Sequence, residues 1–105
     1  IINLMVIYVD IDETICNTPE NRDYSKSKPL NDNIKKINDL FDFGYTIVYW
    51  TARGSSSGKD HSKITKQQLK KWKAKHTELK MGKPMYDLFI CDKAINSIDF
   101  FAERL

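Results

Sequence analysis

Cysteine, repeats and long apolar runs are scarce or missing in this sequence, and each absence excludes a class of protein. Two cysteines in 105 residues are too few for the disulfide framework of a small secreted domain, so a reducing cytoplasm is the expected location. No apolar run approaches the roughly 20 residues of a membrane span, so no membrane association is expected. The apolar opening, residues 1–9, is short and has no basic region before it, which favours a buried strand over a signal peptide.

The length and charge of the chain indicate one small folded domain. A chain of 105 residues can bury one modest core but is too short for a catalytic domain with a separate cap domain. The net charge of +3 conceals a basic segment, residues 63–83, which contains eight lysines and a single acid. Such a segment is usually a solvated helix face, although it can attract an anionic substrate or, as a less favoured alternative, nucleic acid.

Apolar runs and helical spacing alternate along the chain. Three runs rich in β-forming residues are predicted strands: residues 4–9, 45–50 and 86–91. Helices are predicted from a cap at Asn31 or Asp32 to Gly44, from about residue 62 to 76, and near residues 97–103. The order predicts an α/β fold, specifically a Rossmann-like three-layer α/β/α sandwich with a mainly parallel sheet and helices on both faces. Residues 1–105 are expected to form this single domain, with a small flap at about residues 13–30 and no separate cap domain.

Two acids follow the first predicted strand at alternate positions. Asp10 and Asp12 share one side of an extended chain and lie about 7 Å apart, from two steps of roughly 3.3 Å. Two carboxylates this close repel each other unless one is protonated or a cation neutralises them. Phosphoryl transfer uses such a pair, with one nucleophile, one acid and base, and a metal ion. A solvated turn or a helix cap is the alternative interpretation.

Further polar residues fall where a parallel sheet would gather its strand ends. Thr51, Ala52 and Arg53 follow the second predicted strand and offer a hydroxyl, backbone amides and a cation to a phosphoryl group. Lys83 precedes the last predicted strand, and Asp92 ends it with a hard oxygen ligand suited to magnesium. Taken singly, each residue is more often a turn residue, a surface lysine or a helix cap.

Together, these motifs resemble a known family. The pattern D-x-D-x-T at residues 10–14, followed by a threonine, a lysine and an acid at later strand boundaries, resembles the four signatures of the haloacid dehalogenase superfamily, whose phosphatases are magnesium-dependent. The resemblance covers about residues 4–101. The segments "TARG", "MGKPMYDLFICDKAIN" and "DF" at 99–100 look like the small capless members assigned to capsule or surface-polysaccharide biosynthesis.

The resemblance implies a role for each motif residue. Asp10 would be the nucleophile that forms an aspartyl-phosphate, and Asp12 the acid that protonates the leaving group and then activates water. Thr51 would bind a phosphoryl oxygen, and Lys83 would steady both Asp10 and the phosphoryl group. Magnesium (Mg2+) would be held by Asp10, the backbone carbonyl of Asp12, and Asp92.

One position departs from the family pattern. Relatives of this type often carry two adjacent acids at the end of the last strand, whereas this chain has Cys91 followed by Asp92. An alignment that puts the metal ligand at Asp92 keeps the site, and one that puts it at Cys91 replaces a hard ligand by a thiol. The first alignment is favoured. Asp99 is a weaker candidate for outer support, and Glu13 is expected to face solvent.

The resulting hypothesis is a cytoplasmic, magnesium-dependent phosphatase of a small phosphomonoester, with a sugar phosphate as the favoured substrate. A homo-oligomer could cover the open site. One alternative is a phosphatase acting on a nucleic-acid or protein phosphate. Another is a binding module that has lost catalysis, for which Cys91 is the motivation.

Overall fold

The computed structural model describes residues 5–102, and this part of the chain contains a three-stranded sheet, a two-stranded ribbon and three α-helices. The strands are β1 (Val6–Val9), β2 (Cys16–Asn17), β3 (Lys28–Pro29), β4 (Thr46–Trp50) and β5 (Glu78–Lys80). The helices are α1 (Asn31–Phe43), α2 (Ser62–Lys71) and α3 (Ser97–Ala102). None of the helices in residues 5–102 combines the length and apolar character needed to cross a membrane.

The main sheet is parallel, with the strand order β1-β4-β5. Val9 of β1 pairs with Tyr49 of β4, and Trp50 pairs with Lys80 of β5. The carboxyl ends of all three strands therefore meet at one edge, as the alternating α/β prediction requires. Strands predicted over residues 4–9 and 45–50 are present as β1 and β4, although Leu4 itself lies outside the described residues.

The third strand is not where the sequence pattern placed it. Residues 86–91 form no strand, and their apolar side chains are exposed, including Leu88 at 76% and Ile90 at 90%. Instead, the Thr77 N–H donates to the Ile47 carbonyl at 2.8 Å, and the chain then pairs with β4 as β5. An edge strand is held by main-chain hydrogen bonds, so the polar segment Glu78–Lys80 can form one without an apolar pattern.

Helix α1 ends as predicted. Its last turn is closed by Gly44 in a left-handed conformation with φ 114°, where the Gly44 N–H donates to the Leu40 and Phe41 carbonyls. The start differs by one position, because the cap residue is Leu30, which makes no side-chain capping bond. Asn31 and Asp32 therefore lie in the first turn.

Helix α2 is shorter than predicted. It ends at Lys71, because Trp72 closes the last turn and Lys73 turns into a left-handed backbone with φ 56°. That turn redirects the chain towards β5. The third helix, α3, is present near the predicted residues 97–103, although Glu103 lies outside the described residues.

The core lies on one face of the sheet. All three helices contribute side chains that pack with Val9, Ile47 and Tyr49, whereas Val6 and Tyr8 on the alternate face of β1 are 61% and 48% exposed. On that second face Val48 of β4 is nevertheless buried at 3% exposure, and the predicted helix layer over both faces stays a prediction. The buried members of the core are Val9, Ile11, Ile15, Cys16, Ile34, Ile37, Ile47, Tyr49, Leu69 and Ala74.

The segment 13–30, predicted as a flap, contains more structure than an irregular loop. Strands β2 and β3 pair antiparallel, and a short 3-10 helix, Tyr24–Lys26, lies between them. The Leu30 N–H donates to the Ile15 carbonyl at 2.8 Å, which fastens the ribbon to the start of α1. We refer to residues 13–30 as the flap.

Candidate functional site

The candidate site lies at the carboxyl-terminal edge of the parallel sheet. Asp10 directly follows β1, and Thr51 directly follows β4. The Thr51 N–H donates to the Lys80 carbonyl at 3.1 Å, and the Lys83 N–H donates to the Thr51 carbonyl at 3.0 Å. Main-chain hydrogen bonds thus carry the segment after β5 back across the strand end that holds Thr51. Three residues predicted from separate motifs meet there.

The Asp10 carboxylate is accessible and faces a cation. Its side chain is 41% exposed, and Oδ2 lies 3.6 Å from the Lys83 Nζ. The Ile11 N–H donates to Oδ1 at 2.8 Å. Partial burial raises the pKa of Asp10, with a further rise from Asp12, although the Lys83 ammonium and the Ile11 N–H oppose the change. The carboxylate therefore offers one nucleophilic oxygen beside a positive charge.

Lys83 is held in place by its neighbours. Its side chain is 14% exposed, and Nζ lies 5.7 Å from the centre of the Trp50 ring and 5.5 Å from that of Tyr86. The Ser55 hydroxyl donates to the Lys83 carbonyl at 2.7 Å. Aromatic faces on two sides restrict the ammonium and leave Asp10 as its carboxylate partner within salt-bridge distance.

Asp12 forms a buried ion pair with Arg53. The Arg53 Nε donates to Asp12 Oδ2 at 3.0 Å, and Nη2 donates to Oδ1 at 2.9 Å. The Arg53 and Asp12 side chains are 0% and 13% exposed. Burial by itself would raise the pKa of Asp12, but hydrogen bonds from Arg53 and Thr18 outweigh it and lower that pKa. The two acids of the motif therefore differ in environment, one open and one enclosed.

The remaining contacts of Arg53 leave its side chain enclosed by protein. Nη1 donates to the Thr65 hydroxyl at 3.2 Å and to Gln68 Oε1 at 2.6 Å, both on α2. The Tyr24 ring covers the guanidinium, with its centre 4.5 Å from Cζ. The sequence placed Arg53 among the substrate-binding residues, whereas the structure turns its side chain inward towards the second acid.

Thr51 is also more enclosed than its predicted role suggests. Its side chain is 1% exposed, and its hydroxyl accepts a hydrogen bond from the Arg53 N–H at 3.1 Å. The hydroxyl thus closes the turn 51–53, while the turn itself lies beside the Asp10 and Lys83 pair. Ala52, in the middle of that turn, is only partly buried.

A cavity of about 170 Å³ opens beside this turn. Its walls come from the loop after Arg53 and from the turn at Gly82, next to Lys83. Ser55 lies in the same wall and holds the Lys83 carbonyl. The cavity therefore adjoins the Thr51–Arg53 turn, although its lining residues include neither Asp10 nor Lys83.

The predicted metal ligands are only partly brought together. Asp10 offers an exposed carboxylate oxygen, a hard ligand of the kind that magnesium binds. Asp92 is exposed, and its carboxylate lies 3.9 Å from the Cys91 thiol. No group of three or more His, Cys, Asp or Glu side chains within residues 5–102 is close enough to hold a metal ion. Asp92 thus stays apart from Asp10 and Asp12, since residues 86–91 do not join the sheet.

Residues of the flap and of α2 complete the site without having been predicted. Thr18 donates a hydrogen bond to Asp12 Oδ1, and Gln68 Nε2 donates to the Tyr24 carbonyl at 2.6 Å. Thr65 on α2 also contributes, because its hydroxyl accepts a hydrogen bond from Arg53 Nη1 at 3.2 Å. The sequence signal for such a role is a polar residue next to a buried position of a helix. Gln68 is such a residue, because it directly precedes the buried Leu69.

Comparison with known proteins supports the fold. No protein-family model matches this chain, and no curated protein matches it. The crystal structure of an MCSG target from Vibrio cholerae is similar, with 25% sequence identity and a TM-score of 0.83. The match covers 98% of this chain and 91% of that chain. The small α/β architecture is therefore shared with a solved protein, and the activity has to be argued from the site.

Proposed function

We propose that this protein is a cytoplasmic, magnesium-dependent phosphatase that hydrolyses a phosphomonoester through an aspartyl-phosphate on Asp10. The observation that carries the proposal is the accessible Asp10 carboxylate, 3.6 Å from Lys83 and two residues from a second acid, at the carboxyl edge of a parallel sheet. The resemblance of the motifs to haloacid dehalogenase phosphatases supports it. A sugar phosphate or similar small metabolite is the favoured substrate.

The chemistry divides between the two acids. A carboxylate oxygen of Asp10 attacks phosphorus, and the bond from phosphorus to the leaving oxygen breaks as Asp12, in its protonated form, gives that oxygen a proton. The contacts from Arg53 and Thr18 lower the pKa of Asp12, so this form has to be produced when the substrate binds. Water then attacks the phosphorus of the aspartyl-phosphate, the bond between phosphorus and the Asp10 oxygen breaks, and Asp12 takes a proton from the water. Inorganic phosphate leaves, and both carboxyl groups return to their starting states. Each acid is thus used twice, and the cycle consumes the phosphomonoester and one water molecule.

Charge on the phosphoryl group requires cations nearby. Lys83 is placed to contact both Asp10 and a phosphoryl oxygen, and the turn Thr51–Ala52 borders the same point. Magnesium bound by Asp10 and the Asp12 carbonyl, with Asp92 as the proposed third ligand, would offset further negative charge. The cavity beside Gly82 would receive the alcohol portion of the substrate.

The site is open, so water must be excluded by another means. We infer that the flap, the substrate itself or a second subunit covers it, because residues 5–102 form one small α/β unit. The same proposal includes a haloacid dehalogenase-like fold, with a helix layer on the second face of the sheet.

Exposed lysines on α2 favour one alternative substrate, a phosphate on a nucleic acid. Lys63, Lys66 and Lys70 are all exposed on that helix. Binding to a generic oligonucleotide that weakens steeply as salt is raised would favour this substrate over a small metabolite. A phosphoprotein is the corresponding alternative for an open site.

Cys91, which stands directly before Asp92, motivates a second alternative, a binding module without catalysis. Such a module would not form the aspartyl-phosphate mimic with magnesium and beryllofluoride. Trapping that adduct on Asp10 would eliminate the binding module and support the phosphatase.

The direct test is turnover of a panel of phosphorylated metabolites and an aryl phosphate, with magnesium and with a chelator. We expect magnesium-dependent release of phosphate that disappears in Asp10→Asn. The matched control is Asp39→Asn, since Asp39 is an exposed acid on α1 paired with Lys35. Full activity of Asp10→Asn, with the control also active, would refute the assignment of the nucleophile.

A further inference from the structure

Two aromatic rings border the Asp10 and Lys83 pair, and the proposed chemistry gives them no role. Lys83 Nζ lies over the Trp50 ring, 5.7 Å from its centre, and over the Tyr86 ring, 5.5 Å from its centre. Both distances are within the roughly 6 Å over which the negative face of an aromatic ring attracts an ammonium group. The same Nζ lies 3.6 Å from Asp10 Oδ2. The two rings and the carboxylate therefore share one cation as their common neighbour.

The contact with Asp10 does not by itself fix the lysine side chain. A distance of 3.6 Å is longer than an ordinary N–H···O hydrogen bond, which ends at roughly 3.2 Å, so charge attraction joins the two groups without a directional bond. The side chain of Lys83 is only 14% exposed, although a lysine has a flexible four-carbon stem and a strongly hydrated head. The aromatic faces are the contacts that can hold the ammonium in place once the charge of Asp10 is shared with an incoming phosphoryl group.

The Trp50 ring is fixed to the sheet. Trp50 ends β4 and pairs with Lys80 of β5. Its ring meets the Tyr8 ring edge to face, with centres 5.6 Å apart and planes at 88°. The Tyr8 hydroxyl in turn accepts a hydrogen bond from Lys80 Nζ at 2.8 Å. Contacts with both neighbouring strands therefore set the position of this ring, directly before Thr51.

The Tyr86 ring belongs to the segment 86–91, which forms no strand. It packs on the Phe89 ring, with centres 5.3 Å apart, and the two residues are 48% and 47% exposed. Within residues 5–102, only the rings of Trp50 and Tyr86 lie within cation–π distance of Lys83 Nζ. Phe89 therefore matches Tyr86 in segment and exposure but lacks the contact with the lysine.

We infer that Trp50 and Tyr86 are positioning residues, which hold the Lys83 ammonium beside Asp10 by cation–π attraction. The inference rests on the proposed phosphatase function and deepens it. It gives a shared task to the end of β4 and to the segment after Lys83, two parts of the chain that had been interpreted only as strands.

The sharpest test changes the charge on the Trp50 ring while nearly keeping its shape. Tryptophans with one to four ring fluorines are placed at position 50, and hydrolysis of p-nitrophenyl phosphate is measured with magnesium. Because fluorine withdraws electrons from the ring face, kcat/KM should fall with each added fluorine, by about tenfold over the series. The same series at Trp72, whose ring packs against the core, is the matched control and should show no trend.

Variants that keep or remove a ring provide a second comparison. Trp50→Leu and Tyr86→Leu should lower kcat/KM by about tenfold, whereas Trp50→Phe and Tyr86→Phe, which retain an aromatic face, should lower it by less than about threefold. Phe89→Leu should stay within about twofold of the wild type, because it removes a ring from the same segment without touching Lys83.

An NMR signal from Lys83 reports the geometry without catalysis. Protons over the face of an aromatic ring are shifted upfield, so the ε-methylene signal of Lys83 should move downfield in Trp50→Leu and in Tyr86→Leu. It should not move in Phe89→Leu. The signal is assigned by its loss in Lys83→Met.

Active protein without a fluorine trend at position 50, equal trends at positions 50 and 72, or an unchanged Lys83 signal in both leucine variants would overturn the inference. Circular dichroism checks that each variant is folded, and the fluorine series decides if a leucine variant is not, because that series keeps the tryptophan. A wild type that hydrolyses neither this ester nor any phosphorylated metabolite with magnesium would instead overturn the proposed function. In that case the NMR comparison still decides whether the two rings hold Lys83.

Discussion

Replacing Arg53 by methionine should destabilise the fold in a way that depends on pH. The substitution keeps much of the side-chain volume but leaves Asp12 without its cation in a site where its side chain is only 13% exposed. Removing one partner of a buried pair costs roughly 3–5 kcal/mol, because the other charge stays buried. We expect about 3 kcal/mol at pH 7, the lower end of that range, since Thr18 still donates to the carboxylate.

The sign of the pH effect follows from the two states of Asp12. In the wild type the pKa of Asp12 is lowered, so its contribution to stability is present above the unfolded pKa and is lost as pH falls through the folded pKa. In Arg53→Met the effect of burial remains while the strongest opposing contact is gone, so the pKa of Asp12 should rise. The variant then loses unfolding free energy relative to the wild type at pH values above that raised pKa, and the loss is smaller at pH values below it. The difference in unfolding free energy should therefore shrink on acidification.

Urea unfolding measures this difference at pH 7 and at about pH 4.5, with the fluorescence of Trp50 and Trp72 as the probe. Urea is preferred because it is uncharged and does not screen the ion pair. Lys75→Met, which breaks an exposed pair, should change stability by less than about 1 kcal/mol at either pH. A loss for Arg53→Met that is below about 1 kcal/mol, or that is the same at both pH values, would refute the reasoning.

Two further predictions concern a glycine and the thiols. Gly54→Ala should lower the free energy of unfolding more than Gly58→Ala, because both have positive φ but only at Gly54 would a Cβ lie 2.1 Å from the Lys59 carbonyl oxygen; equal losses in urea unfolding would contradict this. A chromogenic disulfide reagent at pH 8 should label Cys91 rapidly and Cys16 only after unfolding, since Cys91 is exposed and burial raises the pKa of Cys16 to about 11. Rapid labelling of two thiols per folded chain would show that Cys16 is accessible.

The elements that could be predicted from sequence were those with several agreeing signals. Helix α1 combines apolar spacing with a glycine that can adopt φ 114°, and it ends where expected. The third strand had misleading signals, because residues 86–91 are apolar and β-forming whereas the polar segment Glu78–Lys80 pairs with β4. Strand pairing depends on which main chain reaches the sheet first after α2, and composition does not report that.

The candidate site also has one part that could be predicted from the sequence and one part that could not. The rule that parallel strands gather their carboxyl ends predicted that Asp10 and Thr51 lie at one edge of the sheet. Lys83 was expected before the last strand, whereas it follows β5 in the structure, and its ammonium lies 3.6 Å from Asp10. The inward turn of Arg53 was not predictable, because it depends on how the flap and α2 dock around the loop. The place of Asp92 depended on a strand that is not formed.

Because the Arg53 guanidinium is enclosed by several segments, the site forms only when these segments fold together. The strand end, the loop after β4, the flap and α2 each form one wall around the same charge. Detaching any one of these four segments would expose the guanidinium to water and leave its former hydrogen-bond partners unpaired. The four segments are therefore stable only when all are docked. We therefore expect the flap and α2 to open as one unit, with the pair of Arg53 and Asp12 intact only in those molecules in which both are docked.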